Sequence, residues 1–390
     1  MGLELDEFVQ FINKLVEIIN KEGNYTEKLK MDVLKTVFVI FEKYPDTLPP
    51  KIQEIIKKIL KTQNGKLEDL QLEENLPTIN TRRPKELVAS NTKVSNEIFR
   101  EKKNEQIYKG LVTLAVENRK RKKGKPVAKQ ISVSVSLQYN PEQDPNIKLV
   151  GKRLTNFDRI VHDAVVTQFI DGGNRYITTD MIAYVINGGK DIHSSEKLRE
   201  AINESIDKLF YTSVIIDAKK QAKEYGLDDG GFKGRILDFE LIWGVVNGQK
   251  TQCMDFSEKT PILYRYADKS GQVLRSDLNL LNIPGLQNYP ENIELKNYLL
   301  HELQIMLHND KISRIIRYNK IFDLLNVTAD NPTTLRSKKR YIRQNVKKCL
   351  NYWIEAGEES NERREKRRKI IGYKEIKEAG EITKIEIEIS

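Results

Sequence analysis

Residues 335–353 read LRSKKRYIRQNVKKCLNYW, and the spacing of apolar and basic residues within them decides the fold. At about 100° per residue, Leu335, Ile342, Val346, Cys349 and Trp353 fall within one arc of a helix. Arg336, Arg340, Arg343 and Lys347 fall in a second arc roughly 120° away. One side of such a helix packs; the other carries cations with nothing to offset them. No Asp or Glu occurs between Leu335 and Ile354, although solvated helices usually mix charge signs at three- and four-residue spacing. A polyanion would relieve that repulsion.

The whole chain is consistent with such a partner. It has 390 residues, 39% of them hydrophobic, enough for two or three domains with real cores. Its formal net charge is +10 and its pI about 9.2, values suited to nucleic acid or another anionic surface. No apolar run approaches the roughly 20 residues that span a bilayer, so no membrane partner is expected. Met1 to Phe11 contain Glu4, Asp6 and Glu7, unlike a secretory signal, so a cytoplasmic, nucleoid- or plasmid-associated location is expected. Cys253 and Cys349 are far apart and lack the neighbours of a zinc site or redox pair; both read as buried apolar residues.

Outward from the basic helix, the chain orders itself into four parts. Residues 1–65 show three amphipathic helices: Phe8 to Ile19, Tyr25 to Tyr44 ended by Pro45, and Pro50 to Leu60. They are expected to form a small N-terminal helical bundle or to dock on a partner. Residues 66–106 lose periodicity and contain Pro77, Pro84 and Arg82-Arg83, the pattern of a linker. Residues 107–285 form a first domain. There Leu111 to Glu117 and Ile131 to Leu137 alternate as half-buried strands, joined by a basic tip containing Arg119, Arg121, Lys122 and Lys123. The tip reads either as a solubilising loop or as a phosphate clamp.

A helix capped at Thr155 or Asn156 follows, ended by Gly172-Gly173. A short strand at Tyr176 to Thr178 and a helix through Met181, Ile182 and Val185 come next. The third helix starts near Ser194-Ser195. Strands are expected at Tyr211 to Asp217, Arg235 to Val246 and Thr251 to Phe256, the last two joined by Asn247-Gly248, a strong hairpin signal. Three helices followed by a β hairpin describe a winged helix. Residues 286–390 repeat the order: helices at Ile293 to Leu307 and Tyr318 to Leu325, the basic helix, then strands at Ile370 to Tyr373 and Ile382 to Ile389 with Ala379-Gly380 between them. The fold class is therefore α+β, two tandem winged-helix domains preceded by the helical bundle.

Three segments carry a resemblance. LTNFDRIVH at Leu154 to His162, SIDKLF at Ser205 to Phe210 and SRIIRYNKI at Ser313 to Ile321, ahead of a basic C-terminal helix, resemble the Rep initiators of iteron plasmids and their relatives on mobile elements. The likeness covers about residues 111–390 and leaves the N-terminal bundle outside. It implies binding of repeated double-stranded origin sequences, with most base contacts from the C-terminal domain. It also implies phosphate contacts and homodimerisation by the first domain, and recruitment of host helicase or initiator proteins. A transcriptional regulator or autorepressor of the same architecture is the alternative, and a protein using its basic face to dock an acidic partner is another.

Within that reading, Arg336, Ser337, Arg340, Arg343, Gln344 and Lys347 are the expected base-reading residues, because recognition helices present their N-terminal part to the major groove and arginine pairs bidentately with guanine. Lys338, Lys339 and Lys348, the run Arg363, Arg364, Arg367 and Arg368, and the basic tip are expected on phosphates. The third helix of the first domain mixes Lys197, Arg199 and Lys208 with Glu196, Glu200, Glu204 and Asp207, which suits packing better than polyanion reading. No catalysis, cofactor or metal is expected. Neither His-x-His nor His-x-x-Arg occurs, and no Gly-Lys pair is followed by Ser or Thr.

Overall fold

The computed structural model divides the chain into two compact units, Met1–Leu76 and Pro77–Ser390. It describes residues 77–100, 107, 111–122, 125–139, 153–190, 194–225, 230–246, 248–257, 259–309, 311–359 and 368–390. The three helices expected between residues 8 and 60 lie outside this set. The second unit mixes helices with several small sheets.

One helix–strand–helix–helix–hairpin order occurs twice. In the first copy α2 (Asn156–Ile170), β4 (Tyr176–Ile177), α3 (Thr179–Ile186) and α4 (Glu196–Tyr211) lead to the hairpin β7 (Glu240–Val246) and β8 (Gln249–Asp255). The strands form an antiparallel sheet in the order β4-β8-β7. In the second copy α7 (Pro290–His308), β10 (Ile315–Arg317), α8 (Tyr318–Leu324) and α9 (Pro332–Glu359) lead to β11 (Ile370–Glu378) and β12 (Glu381–Ile389). That sheet has the equivalent order, β10-β12-β11.

Local chemistry sets the element ends. Thr155 closes a capping box at the start of α2: its hydroxyl accepts from the Asp158 amide while the Asp158 carboxylate accepts from the Thr155 amide. Thr178 and Ser195 cap α3 and α4 the same way, each accepting from an amide three residues on. Pro290 occupies the first turn of α7, where no helical amide is needed. Ala379 and Gly380 both have positive φ, 49° and 83°, as a two-residue hairpin turn of right twist requires.

Each first helix is bonded to its third through the same position. Asp158, the third residue of α2, accepts from the Ser205 hydroxyl at 2.6 Å. Asn292, the third residue of α7, accepts from the Asn345 amide at 2.9 Å. Both residues are buried, so these bonds fix the angle of the third helix where water cannot compete.

The first copy carries additions that sequence periodicity does not give. β5 (Thr212–Asp217), α5 (Lys219–Tyr225) and β6 (Gly231–Arg235) are inserted between α4 and the hairpin. With β2 (Val112–Lys122) and β3 (Lys125–Tyr139) they make a sheet ordered β2-β3-β5-β6. The stretch Arg235 to Val246, expected as one strand, is broken: Arg235 ends β6, which pairs with β5, and Glu240–Val246 forms β7, which pairs with β8. Ile236 and Leu237 between them are fully buried, and their amides donate to Thr212 and Leu209 carbonyls. The core pulls the chain out of one sheet and into the other.

From Pro77 on, the stretch expected as a linker is woven into the core. Ile79 exchanges backbone bonds with the edge of β7, donating to the Val245 carbonyl, while Val245 donates to Pro77. Gly244 leaves room for this: a Cβ there would sit 2.3 Å from the Ile79 side chain. β1 (Glu86–Ser90) pairs along its length with β9 (Val273–Asp277), and the Lys85 and Glu86 amides donate to Asp171. α1 (Lys93–Ile98), capped by Thr92, buries Val94 and Ile98. α6 (Ile262–Lys269) fills the remaining side of this strand pair.

The first helices of the two copies meet across a part-buried polar joint. Arg159 of α2 donates to the Ser90 carbonyl, lies 3.1 Å from the His301 ring of α7 and 3.6 Å from Asp163. Burial and the neighbouring guanidinium hold His301 well below the usual imidazole range. A single apolar cluster runs from Val94 and Ile98 through both copies to Ile389.

Candidate nucleic-acid interface

The helix α9 spans Pro332–Glu359, longer at both ends than the stretch whose periodicity announces it. Ile342, Val346, Cys349, Leu350 and Trp353 are buried along one side, with Asn345 at its border. The Trp353 indole donates to the Leu280 carbonyl at 2.7 Å, fixing the C-terminal half against the strand-to-helix connection. Beneath the helix lies a buried lysine. Lys296 of α7 donates to Asn288, which donates in turn to Asn187 of the first copy. Desolvation lowers the Lys296 ammonium to about 8 and pushes the Cys349 thiol beside it up to about 12. Both groups thus tend toward neutrality, which reduces the cost of burying them.

The expected base-reading set divides on this scaffold. Arg336, Ser337, Arg340 and Gln344 are exposed, and among the described residues neither arginine makes an ion pair. On a helical projection they occupy one arc of about 100°. Tyr341 and Asn351, exposed on or beside the same arc, are not in the expected set. Charge is the signal that draws attention to the stripe, and neither residue carries any.

Arg343 and Lys347 share the stripe with Arg336 and Arg340, but neighbouring elements hold their side chains. The Arg343 guanidinium donates to the Ile382 carbonyl at 3.0 Å and lies over the rings of Tyr318 and Phe322, 5.4 and 5.7 Å from their centroids. It therefore ties α9 to α8 and to β12 at once. Lys347 pairs with Glu375 of β11 at 2.9 Å, and Glu375 also accepts from the Tyr318 hydroxyl. Burial, with Glu375 adding to it, raises the Tyr318 phenol well above its ordinary range, which keeps it a hydrogen-bond donor.

The lysines expected on phosphates also have internal contacts. Lys338 donates to the Thr328 carbonyl, Lys348 to that of Gly285, and Lys339 lies 5.3 Å over the Phe322 ring. Exposed Lys338 and Lys348 keep donor capacity toward solvent, since an ammonium has three protons. Arg368 is exposed at the entry to β11; Arg363, Arg364 and Arg367 lie outside the described residues. The β11–β12 hairpin mixes its charges, and Lys384 pairs with Glu378 near its tip. The backbone at Arg119, Arg121 and Lys122 is paired in the β2–β3 ladder, and Lys123 is outside the described residues.

The corresponding helix of the first copy carries the opposite surface. Glu196, Glu200, Glu204 and Asp207 of α4 are exposed, with Lys197 the one fully exposed cation among them. Arg199 pairs with Asp180 at 2.8 Å, and Lys208 leans toward the buried Asp158 at 3.6 Å.

Among solved structures, a selenomethionine derivative of domains 2 and 3 of RctB is similar over 72% of this chain and 90% of its own, at 14% identity and a TM-score of 0.31. A second crystal structure of RctB domains 2-3 covers 70% and 91%, at 13% identity and a TM-score of 0.32. No family model matches the chain, and no curated protein matches it. Among the described residues no helix is long and apolar enough to cross a membrane.

Proposed function

We propose that this chain is a non-enzymatic, sequence-specific binder of double-stranded DNA that acts as a replication initiator of a plasmid or mobile element, and that its two repeated units are winged-helix domains. The observation that carries the reading is the exposed, acid-free arc of α9, formed by Arg336, Ser337, Arg340 and Gln344 on the third helix of a helix–strand–helix–helix–hairpin unit.

In this geometry α9 enters the major groove by its N-terminal half. Arg336 and Arg340, one turn apart, reach neighbouring base steps, and an arginine can bond guanine O6 and N7 together. Ser337, Tyr341 and Gln344 flank them as shorter or uncharged donors and acceptors. Lys338, Lys348 and Arg368 stand at the borders, where phosphates would lie. Arg343, Lys347 and Glu375 hold the helix against the hairpin and act as positioning residues. The acidic surface of α4 is repelled by a phosphate backbone, so the first domain contributes through other surfaces, including the homodimer contact. The initiator role rests on the resemblance of the segments at 154–162, 205–210 and 313–321 to iteron-binding Rep proteins, and with it go repeated origin sites and host helicase or initiator partners.

Footprinting on the DNA that flanks the protein's own gene tests the reading. Protection of several direct repeats on one helical phase is expected. A single protected palindrome makes the chain a repressor, and no protection at moderate salt overturns DNA recognition altogether.

A further inference from the structure

The β2–β3 hairpin outruns the sheet to which it belongs. β5 pairs with β3 only from Ser134 to Tyr139, and among the described side chains Val116 and Val133 are buried where the hairpin leaves the sheet. Beyond the pair Val116–Ile131 the ladder continues through six more pairs, from Glu117–Gln130 to Lys122–Lys125. Among the described residues no third strand flanks them. At about 3.4 Å per residue this is a two-stranded ribbon some 20 Å long.

Its composition leaves the ribbon strongly unbalanced in charge. Residues 117–130 contain seven cations, Arg119, Lys120, Arg121, Lys122, Lys123, Lys125 and Lys129, against the single Glu117. The register sets Lys122 directly opposite Lys125, and like charges facing across strands are destabilising. A chain that nevertheless continues this ladder gains most where a dense array of negative charge lies against it.

We infer that the ribbon Glu117–Lys122 and Lys125–Gln130 is a second DNA-binding element, an arm that lies in the major groove beside the site read by α9. The inference rests on the reading of α9 as a duplex binder. Two strands about 4.8 Å apart with their side chains match the roughly 12 Å major groove, which admits such a ribbon, and exceed the minor groove of about 6 Å. The register places Arg119 to Lys122 on one strand and Lys125 and Lys129 on the other, so both strands of the ribbon bring cations to the groove. This contact adds affinity and lengthens the occupied site without specifying sequence.

The experiment compares the full chain with a variant whose residues 118–129 are replaced by Asn-Gly. This joins the paired Glu117 and Gln130 through a favoured two-residue turn and leaves the buried part of the hairpin intact. A second variant, R119Q/K120Q/R121Q/K122Q, keeps the ribbon's length if the first does not fold. Both are measured for salt dependence of duplex affinity and for methylation protection of guanine N7 and adenine N3. At about 0.9 per phosphate released, the slope of log affinity against log salt should shrink by about 3.6 in the glutamine variant and by about 6 in the deletion, which removes all seven cations. Across a fourfold rise in salt the full chain should thus lose about 150-fold more affinity than the glutamine variant, and more again relative to the deletion. Guanine N7 protection flanking the α9 site should vanish while protection inside it persists. An unchanged slope and footprint in both variants, or a loss confined to adenine N3 in the minor groove, overturns the arm. A full chain that protects no duplex at all overturns the reading of α9 instead.

Discussion

The third helices of the two copies, α4 and α9, occupy equivalent places and present opposite surfaces. Each is bonded to the third residue of its own first helix, Asp158 to Ser205 in one copy and Asn292 to Asn345 in the other. Each follows a short second helix and precedes a hairpin that joins the first strand of its unit. Yet α4 exposes Glu196, Glu200, Glu204 and Asp207, whereas α9 exposes Arg336, Arg340 and Gln344 with no acid before Glu355. The scaffold fixes where a third helix stands, and the exposed residues decide what it can meet.

The bonds beneath the two helices also differ in kind, and that difference should give the largest effect on stability. Asp158 is a fully buried carboxylate with four partners: the Thr155 amide and hydroxyl, the Ser205 hydroxyl and Lys208. Asp158→Ala removes a cap and leaves Lys208 without its anion, so it should cost about 3 kcal/mol or more. Asn292→Ala loses neutral hydrogen bonds and should cost about 1 to 2 kcal/mol. Urea unfolding of the two variants measures both, and equal losses would remove the distinction.

The joint between the copies should respond to pH. His301 is partly buried, with its proton affinity depressed in the folded chain, so below about pH 6.5 the unfolded chain binds the extra proton. Stability is therefore full above that pH and falls as pH drops, by up to about 1.4 kcal/mol per unit. Glu302, whose carboxyl burial raises, acts in the opposite sense from its ordinary range upward, so comparison with a histidine variant isolates the His301 contribution. His301→Gln should flatten the melting temperature from about pH 7 to 5.5. A wild-type profile already flat there would show that the joint stays hydrated.

Much of this architecture is written in local sequence. Caps such as Thr155 with Asp158, the Gly-rich stops and the 3.6-residue period of Ile342, Val346, Cys349 and Trp353 each need only neighbouring residues to act, so the helices are legible. The pairing of β1 with β9 is not, because Glu86 and Asp277 are brought together by a core that closes over the whole first copy. Nor is the sheet change at Ile236 and Leu237, where burial overrides an unbroken apolar pattern. At the interface the basic stripe is visible as charge, but its division is not. Arg343 turns inward because Tyr318, Phe322 and the Ile382 carbonyl, from two other elements, make it a better place than solvent. Tyr341 and Asn351 are uncharged and come into view only when the helix is seated.

The contrast between the two helices is tested most directly by equilibrium binding of Arg340→Ala and Glu200→Ala to a duplex carrying a protected site. Arg340→Ala should weaken binding by about 1 to 3 kcal/mol, roughly 5- to 150-fold, and relax preference at one base pair. Glu200→Ala should leave affinity within about twofold, as expected of a surface residue outside the contact. An unaltered affinity and specificity profile for Arg340→Ala, or an equal loss in both variants, would contradict the assignment of α9 as the reader.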